Sequence, residues 1–336
     1  MVSLDGKVSF MGRRRVKLAL VCTAGGHFEQ MVNLEEFYRN YPHFWITSFG
    51  AQTSNYQKNE CMYFINLGHF KRPWTYLYQF PKLFAIYLRE NPTHVISTGS
   101  GRIVLFPYIL SQMFKAKFIH IETFSHVNKP TKMGIFLTKL GCPIFTQWKN
   151  PNNDESAYIG PVFKKEPYEE DSIKNENHIF VTVGTRDEPF VRVIQAVETL
   201  LKESYIQDRV IVQAGRTVFG SELLELFDFD SPQKIEQFIK NSRFVITQES
   251  AGVVTKCLKY HKRFIVMPRD YRFGELPAKS DMNEDLHLKL EEMGFTFVVH
   301  NIEELKTAIR NVDKLKVGFS FDNSLAIAKL NRLVES

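Results

Sequence analysis

The sequence has 336 residues, of which 44% are hydrophobic and 24% are charged. This composition excludes a disordered chain, and the length predicts two domains of ~100 to 200 residues each. Residues 1–150 carry 18 Lys and Arg against 7 Asp and Glu, a formal charge of +11, whereas residues 151–336 are acidic by −5. We therefore expect an anionic partner, such as a phospholipid surface, a pyrophosphate or a nucleic acid, to bind the first part of the chain.

Membrane spans and disulfides are not expected. The sequence lacks the ~18 consecutive apolar residues of a transmembrane helix and the apolar core of a signal peptide, so we expect only peripheral contact with the cytoplasmic face of a membrane. The four cysteines lie far apart without a CxxC pair, as in proteins of a reducing compartment that hold no zinc.

Short apolar runs alternate with helical patterns along the first part of the chain. The runs are VKLALVC at 16–22, HFWITS at 43–48, HVIST at 94–98, FIHIE at 118–122 and PIFTQ at 143–147. This alternation predicts a parallel sheet with crossover helices. Residues 151–177 are rich in Pro, Asn and acidic side chains and are interpreted as a linker.

A second alternating series follows the linker. Its runs are HIFVTVG at 178–184, RVIVQA at 209–214, RFVIT at 243–247, RFIVMP at 263–268 and FTFVV at 295–299. We predict an α/β protein with two doubly wound, Rossmann-like domains, residues 1–150 and 178–336, that face a cleft. The helical segment 323–334 has no strand after it, so it is free to pack back on the first domain.

The turn after the first strand contains a candidate catalytic base. The sequence Thr23-Ala24-Gly25-Gly26-His27 links the strand to a helical pattern, and its glycines permit a tight turn. At a helix N-terminus the dipole keeps an imidazole neutral, so that it can accept a proton. The alternative is that His27 only caps the turn.

Two further strand ends lie at the same predicted sheet edge. Glu122 ends the run FIHIE and is a candidate to orient His27 or to act as the base itself. Thr98, Gly99 and Ser100 end the HVIST strand and open a helix, where backbone amides can bind an anionic group. Small residues are common in such turns, so only their convergence on one edge favours a site.

Residues 70–90 interleave aromatic and basic side chains. This pattern is typical of a helix lying in a bilayer interface, and equally of a core helix with ordinary flanking charges. Stacking on nucleic-acid bases is the third possibility, but no RNP, zinc-finger or basic-zipper pattern accompanies the segment, so we expect no nucleic acid as a partner.

Strand ends of the second domain predict a nucleotide site. Gly184 and Thr185 form a turn that can pass beneath a nucleotide, and amides of residues 250–253 at a helix start can hold a diphosphate without metal. Glu275 is expected to bind ribose hydroxyls. The predicted donor-binding residues are Gly184, Thr185, Gln213, Ser250, Ala251, Gly252, Arg269, Glu275 and Asn283.

An Asp-x-Asp string at Asp228 and Asp230 resembles a glycosyltransferase metal motif. Ser231 and Pro232 follow it directly and precede a helical pattern, which favours a helix start over a metal site. We expect no metal and no cofactor.

Several motifs resemble one enzyme family over nearly the whole chain. VCTAGGHFEQM, STGSGRIVLFPYIL and IHIETFSHVNKPTKMGIFLTKLGCPIFTQW are similar to the membrane-recruiting subunit of the two-subunit UDP-N-acetylglucosamine transferase that adds the second sugar of dolichol-linked glycans in N-glycosylation. IFVTVGTRDEPFVRVIQAV and FIVMPRDYRFGE resemble its catalytic partner. Here both subunits would be fused in one polypeptide, an arrangement similar to the lipid II-forming N-acetylglucosaminyltransferase of peptidoglycan synthesis.

The resemblance implies that the two α/β domains form a GT-B fold. It also implies an inverting, metal-independent β-1,4 transfer from a UDP-sugar to a polyprenyl- or dolichyl-diphosphate-linked sugar. His27 matches the Gly-Gly-His motif, and Glu122 matches the Glu of the later strand. The chain departs from the family pattern Ser-His-x-Gly-x-Gly-Ser at residues 247–253, where it reads TQESAGV. A carboxylate at Glu249 would repel a diphosphate unless it points away.

Two other functions stay open on the sequence. The altered loop at residues 248–253 is compatible with a UDP-sugar-binding scaffold that recruits a partner transferase. A UDP-sugar epimerase built on the same two-domain fold is the second alternative.

Overall fold

The computed structural model describes residues 15–66, 73–99, 101–149, 155–165, 178–279, 282 and 284–336. These residues form two compact units. The first unit comprises the described residues up to Glu122, Thr131–Phe145 and Ser324–Ser336, and the second comprises Thr123–Pro130 and Thr146–Asn323. The segment Thr123–Pro130, which we expected in the first domain, therefore belongs to the second unit.

The first unit contains a parallel sheet of six strands in the order β3-β2-β1-β4-β5-β6. Its strands are β1 (Leu18–Cys22), β2 (His43–Thr47), β3 (Met62–Phe64), β4 (His94–Ser97), β5 (Lys117–Ile121) and β6 (Ile144–Phe145). Every residue of β1 is buried, as expected for the central strand of a parallel sheet with helices on both faces.

Helices connect these strands. They are α1 (Gly26–Val32), α2 (Glu35–Tyr38), α3 (Ala51–Tyr56), α4 (Phe80–Glu90), α5 (Arg102–Met113) and α6 (Lys132–Lys139). Of the aromatic and basic segment 70–90, residues 70–72 lie outside the described residues, and Pro73–Gln79 form a 3-10 helix before α4. One face of α4 is buried through Leu83, Ile86 and Tyr87, whereas Tyr78 and Leu88 are exposed. The core interpretation is therefore correct for one face of the helix.

The second unit repeats this architecture with a parallel sheet in the order β12-β11-β10-β7-β8-β9. Its strands are β7 (His178–Thr182), β8 (Arg209–Gln213), β9 (Glu225–Phe227), β10 (Phe244–Thr247), β11 (Phe264–Val266) and β12 (Thr296–Val298). Its helices are α7 (Val191–Lys202), α8 (Pro232–Asn241), α9 (Ala251–Lys259), α10 (Asp285–Glu292) and α11 (Ile302–Asn311). Ser231 is the N-cap of α8, and its hydroxyl accepts a hydrogen bond from Lys234 N at 3.3 Å. The helix start predicted after Asp230 is therefore present.

The last helix, α12 (Ser324–Glu335), belongs to the first unit. The hydroxyl of Tyr41 donates a hydrogen bond to Asn331 Oδ1 of this helix at 3.0 Å. Within the described part of the chain, no helix is long and apolar enough to cross a bilayer.

Each sheet reverses its strand order next to its first strand, between β1 and β4 in one unit and between β7 and β10 in the other. Sheets of this kind bind ligands outside the carboxyl ends of the strands at the reversal point. Val21 pairs with Ser97 at this edge of the first sheet, and Thr182 pairs with Thr247 in the second. The turns that follow these strands are therefore neighbours, and they contain most of the predicted site residues.

Candidate functional site

The turn after β1 brings His27 to the carboxyl edge of the first sheet. Gly25 has a φ of +93°, a region that favours glycine because a Cβ would clash with the backbone. It is the N-cap of α1, and its carbonyl accepts a hydrogen bond from Glu29 N at 3.0 Å. Gly26 is exposed as the first helical residue, so His27 lies in the first turn of α1.

Thr98 holds this turn from the neighbouring strand. Its hydroxyl donates a hydrogen bond to the carbonyl of His27 at 2.8 Å. Its amide bonds to the Val21 carbonyl at 3.2 Å, and the Gly99 amide bonds to the Ser97 hydroxyl at 3.3 Å. The amides of Thr98 and Gly99 are thus engaged within the unit, which contradicts their expected role as anion donors.

Close packing explains the glycine at position 99. A Cβ there would lie 2.9 Å from the Cγ2 atom of Ile103 and 3.3 Å from the Cα atom of Cys22. Glycine therefore lets the start of α5 approach β1. Ser100, the third predicted residue of this turn, lies outside the described residues.

Glu122 follows β5 and is only 2% exposed. Its Oε1 atom accepts hydrogen bonds from the amide and the hydroxyl of Thr131, at 3.2 and 3.0 Å. Thr131 is in turn the N-cap of α6 and accepts a hydrogen bond from Gly134 N. A carboxylate so buried and bonded is badly placed to act as the base itself, and its role in orienting His27 stays a prediction.

His120 is a residue of this edge that the sequence interpretation missed. It precedes Glu122 by two positions and so shares its face of the strand, and its Nε2 atom lies 3.8 Å from Glu122 Oε1. The imidazole is 1% exposed. Burial, and secondly the neighbouring His27, lower the pKa of His120 to about 3. The ring is therefore neutral near pH 7, and the His-x-Glu spacing in FIHIE is the signal that could have identified it.

In the second unit, the turn after β7 is built around Gly184. Its φ is +75°, and a Cβ at this position would lie 1.9 Å from Gln248 Nε2. Gly215 packs on the other side, where a Cβ would lie 2.4 Å from the carbonyl oxygen of Gly184. Two glycines and one buried amide side chain therefore form a single close contact between the turns after β7, β8 and β10.

The loop after β10 leads directly into α9. Ser250 is the N-cap of this helix, and its carbonyl accepts hydrogen bonds from Val253 N and Val254 N at 3.1 and 3.0 Å. Ala251 and Gly252 are the first two helical residues. The first amides of a helix lack partners within it and point along the positive end of its dipole, so this turn has the geometry that binds phosphate groups.

Glu249 stands in this loop between Gln248 and the N-cap residue Ser250. Its Oε2 atom accepts a hydrogen bond from the backbone amide of Arg269 at 2.9 Å. The carboxylate is thus held by the loop that follows β11.

Arg269 and Glu275 were predicted to contact the donor directly, but both are internal. Arg269 is 2% exposed, and its guanidinium donates to carbonyl oxygens and to Gln248 Oε1. The carboxylate of Glu275 is bonded by Arg192 at 2.9 Å and by the amide of Asp270 at 2.8 Å. The geometry therefore gives both residues a place behind the loops rather than on their surface.

The remaining predicted donor residues divide into three cases. Thr185 is exposed beside Gly184. Gln213 is buried at the end of β8, and its Oε1 atom accepts a hydrogen bond from the Thr182 hydroxyl at 2.7 Å. Asn283 lies outside the described residues.

No model of a known protein family matches the chain, and no curated protein matches it. Among solved structures, Acinetobacter baumannii MurG superposes with a TM-score of 0.63 at 11% identity, covering 96% of this chain and 99% of its own. The UDP-GlcNAc 2-epimerase of Methanocaldococcus jannaschii in complex with UDP-GlcNAc and UDP has a TM-score of 0.64 at 13% identity, covering 95% and 99%. The glycosyltransferase SnogD from Streptomyces nogalater has a TM-score of 0.52 at 12% identity, covering 95% and 100%.

The chain has the GT-B fold. Two six-stranded parallel sheets with flanking helices, matched over nearly the full length of these structures, confirm the predicted fold class. At such low identity the likeness shows the fold alone. The same fold is found in a glycosyltransferase and in an epimerase, so the fold alone does not determine which reaction a protein catalyses.

Proposed function

We propose that the protein is a glycosyltransferase that moves a sugar from a UDP-sugar to a lipid-linked acceptor. The observation that carries the proposal is the matched position of two glycine turns. Gly25 precedes His27 beside the β1/β4 reversal, and Gly184 contacts Gln248 beside the β7/β10 reversal. Both lie where sheets of this kind bind ligands. The first turn carries a proton acceptor, and the start of α9, which follows Gln248, carries main-chain donors for an anion.

The first unit acts on the acceptor. His27 takes the proton of the acceptor hydroxyl while that oxygen forms a bond to the anomeric carbon of the sugar. The bond from this carbon to the UDP oxygen breaks, and UDP leaves with the electron pair, so that the configuration inverts. A positioned general base contributes about 10² to 10⁴ in rate. Thr98 supports this role because its hydroxyl holds the carbonyl of His27.

The second unit binds the donor. The first amides of α9, at Ala251 and Gly252, face the diphosphate and stabilise the charge that develops as UDP departs. Metal independence is what the family resemblance implies, and helix amides with the helix dipole supply the charge stabilisation in this proposal. Glu249 is compatible with it because its carboxylate is bonded to the Arg269 amide.

The sugar is proposed to be N-acetylglucosamine, joined by a β-1,4 bond to a polyprenyl- or dolichyl-diphosphate-linked sugar. The motif resemblance supports both choices. The M. jannaschii epimerase of the same fold, whose structure contains UDP-GlcNAc and UDP, supports the nucleotide.

A lipid-linked acceptor requires contact with a membrane. We propose that the basic first 150 residues bind an anionic bilayer surface peripherally, on the cytoplasmic face. In the described residues, Leu77, Tyr78 and Leu88 are exposed around α4, and Lys82 and Arg89 lie on the same helix. Exposed apolar and basic side chains together are typical of interfacial binding.

The test offers a panel of UDP-sugars to the full-length protein with a membrane fraction and identifies the products by mass spectrometry. The proposal predicts a lipid whose mass increases by one sugar residue, and UDP as the second product. Binding of UDP without any product would favour the scaffold alternative.

An epimerase is the second candidate, because an epimerase shares the fold over nearly the whole chain. The two reactions differ in their need for an acceptor. Conversion of a free UDP-sugar into its epimer without lipid would favour the epimerase, whereas transfer that depends on the lipid would exclude it as the main activity.

A further inference from the structure

A buried arginine joins the loops of the proposed donor site from behind. Arg269 follows β11, and its guanidinium bonds to two other segments of the chain. Nη2 donates to the Val183 carbonyl at 2.9 Å, Nη1 donates to the Glu188 carbonyl at 2.7 Å, and Nε donates to Gln248 Oε1. These acceptors lie in the turns after β7 and β10.

Arg269 also bonds to a residue of its own loop and to the loop that leads into α9. Nη1 donates to the Glu275 carbonyl at 3.1 Å. The backbone amide of Arg269 bonds to Glu249 at 2.9 Å. Because the guanidinium presents five donors in a fixed plane, one side chain determines the relative position of three loops.

The side chain of Gln248 lies between Arg269 and Gly184. Its Oε1 atom is bonded to Arg269, and its Nε2 atom occupies the space in which a Cβ at residue 184 would lie, 1.9 Å away. A shift of the guanidinium would therefore move the Gln248 amide against the turn that carries Gly184 and Thr185.

A second arginine fixes the loop between Arg269 and Glu275. Arg192 donates to the carboxylate of Glu275 at 2.9 and 3.1 Å and to the carbonyl of Pro268 at 2.6 Å. Its guanidinium also lies 5.1 Å from the ring centre of Phe273. Arg192 thus bonds to both ends of this loop. The guanidinium of Arg269 bonds mainly to the turns after β7 and β10.

We infer that Arg269 is a positioning residue of the nucleoside-diphosphate site: it sets the conformation of residues 184–188 and 248–252 without touching the ligand. The inference rests on the proposed function, since it deepens the donor-binding role of this edge. It requires the planar, five-donor shape of arginine, because a lysine at this position would keep the charge and lose the bonds to separate loops.

The experiment compares Arg269→Lys with Arg272→Lys in the full-length protein. Arg272 is the matched control because it lies in the same loop, its side chain is 69% exposed, and it pairs with Asp270 of that loop. UDP is the probe in titration calorimetry, and hydrogen exchange of backbone amides is measured by mass spectrometry. We expect Arg269→Lys to weaken UDP binding at least about tenfold and to accelerate exchange in residues 184–189 and 248–253, while the β7 and β10 strands stay protected.

Arg272→Lys is expected to bind UDP within about twofold of the unaltered protein. With a donor sugar, Arg269→Lys should raise KM while kcat at saturation changes little, a split that general loss of stability would not produce. Unchanged UDP affinity in Arg269→Lys, or exchange accelerated equally in all strands, would overturn the inference.

A second variant covers the case in which Arg269→Lys does not fold. Gln248→Met keeps the length of the side chain and removes the acceptor for Arg269, so we expect weaker UDP binding and local exchange in the same two segments. UDP affinity equal to that of the unaltered protein would contradict the inference. If the unaltered protein itself fails to bind UDP, the proposed function fails, and localised exchange alone then decides whether Arg269 positions the loops.

Discussion

Gly184 and Gln248 follow two neighbouring strands and share one space: a Cβ at residue 184 would lie 1.9 Å from Gln248 Nε2. The φ of Gly184 is also +75°. Close approach and backbone conformation therefore both require glycine at the end of β7, where the donor is proposed to bind.

Gly184→Ala is the direct test of this contact. The left-handed conformation alone costs an alanine about 1–2 kcal/mol, and the added methyl group must displace the Gln248 amide. We expect a lower free energy of unfolding in denaturant and at least about tenfold weaker binding of UDP.

The matched control is Gly220→Ala. No atom lies within 4 Å of a Cβ at this position, so we expect the stability and UDP affinity to stay near those of the unaltered protein. Equal stability and equal UDP affinity of the two variants would show that the contact between Gly184 and Gln248 contributes to neither.

His27→Ala is expected to reduce kcat by about 10² to 10⁴ with little change in UDP affinity. The reason is that the proposed base acts on the acceptor, in the first unit, whereas UDP is proposed to bind the second. His300→Ala is the control, because His300 is an exposed histidine of the second unit. A His27→Ala variant that folds normally and keeps its full transfer rate would remove His27 from the mechanism.

Acid is expected to destabilise the protein through His120. Burial lowers its pKa from 6.5 to about 3, so between these values the unfolded chain binds a proton that the folded protein does not. The free energy of unfolding therefore rises with pH across this window and levels off above it, with a slope of up to about 1.4 kcal/mol per pH unit for this one group.

His120→Gln should remove that part of the slope when unfolding is measured between pH 4 and pH 6. His94 and His287, whose pKa values burial lowers to about 4, contribute in the same direction and remain in the variant. Identical pH dependence of the two proteins would mean that His120 titrates normally in the folded state.

Glu122 is expected to stabilise the start of α6 through Thr131. Glu122→Ala leaves the amide and hydroxyl of Thr131 without this acceptor, and we expect a loss of about 1–3 kcal/mol in the free energy of unfolding. Glu122→Gln keeps an oxygen in place and should lose less. Denaturant midpoints of the two variants measure the difference, and an unchanged midpoint for Glu122→Ala would refute the bonding role.

The fold could be predicted because buried parallel strands are apolar runs bounded by turn residues. Leu18–Cys22 and Phe244–Thr247 are of this kind. The strands Met62–Phe64 and Glu225–Phe227 were missed, since each is three residues long, half-buried or exposed, and at the edge of its sheet. Such strands have too few residues for a periodic signal.

For the candidate site, the sequence predicts only which strand ends lie together at one edge of each sheet. Tight turns were expected at Gly25 and Gly184 because they are glycines at the ends of strands, and both have a positive φ. The roles of these turns and of His27 stay predictions. Arg269 and Glu275 were assigned to the ligand, yet Arg269 bonds mostly to carbonyl groups, and Glu275 bonds to the Arg192 side chain and the Asp270 amide. Which carbonyls meet a guanidinium is determined by the packing of loops, and side-chain chemistry along the sequence does not encode it locally.

The most direct measurement of the central claim uses purified protein, UDP-N-acetylglucosamine and a synthetic polyprenyl-diphosphate-sugar. We expect one UDP to be released for each lipid that gains a sugar, and we expect nuclear magnetic resonance to show the β configuration of the new glycosidic bond. Release of UDP without a glycosylated lipid, or conversion of the nucleotide sugar alone, would contradict it.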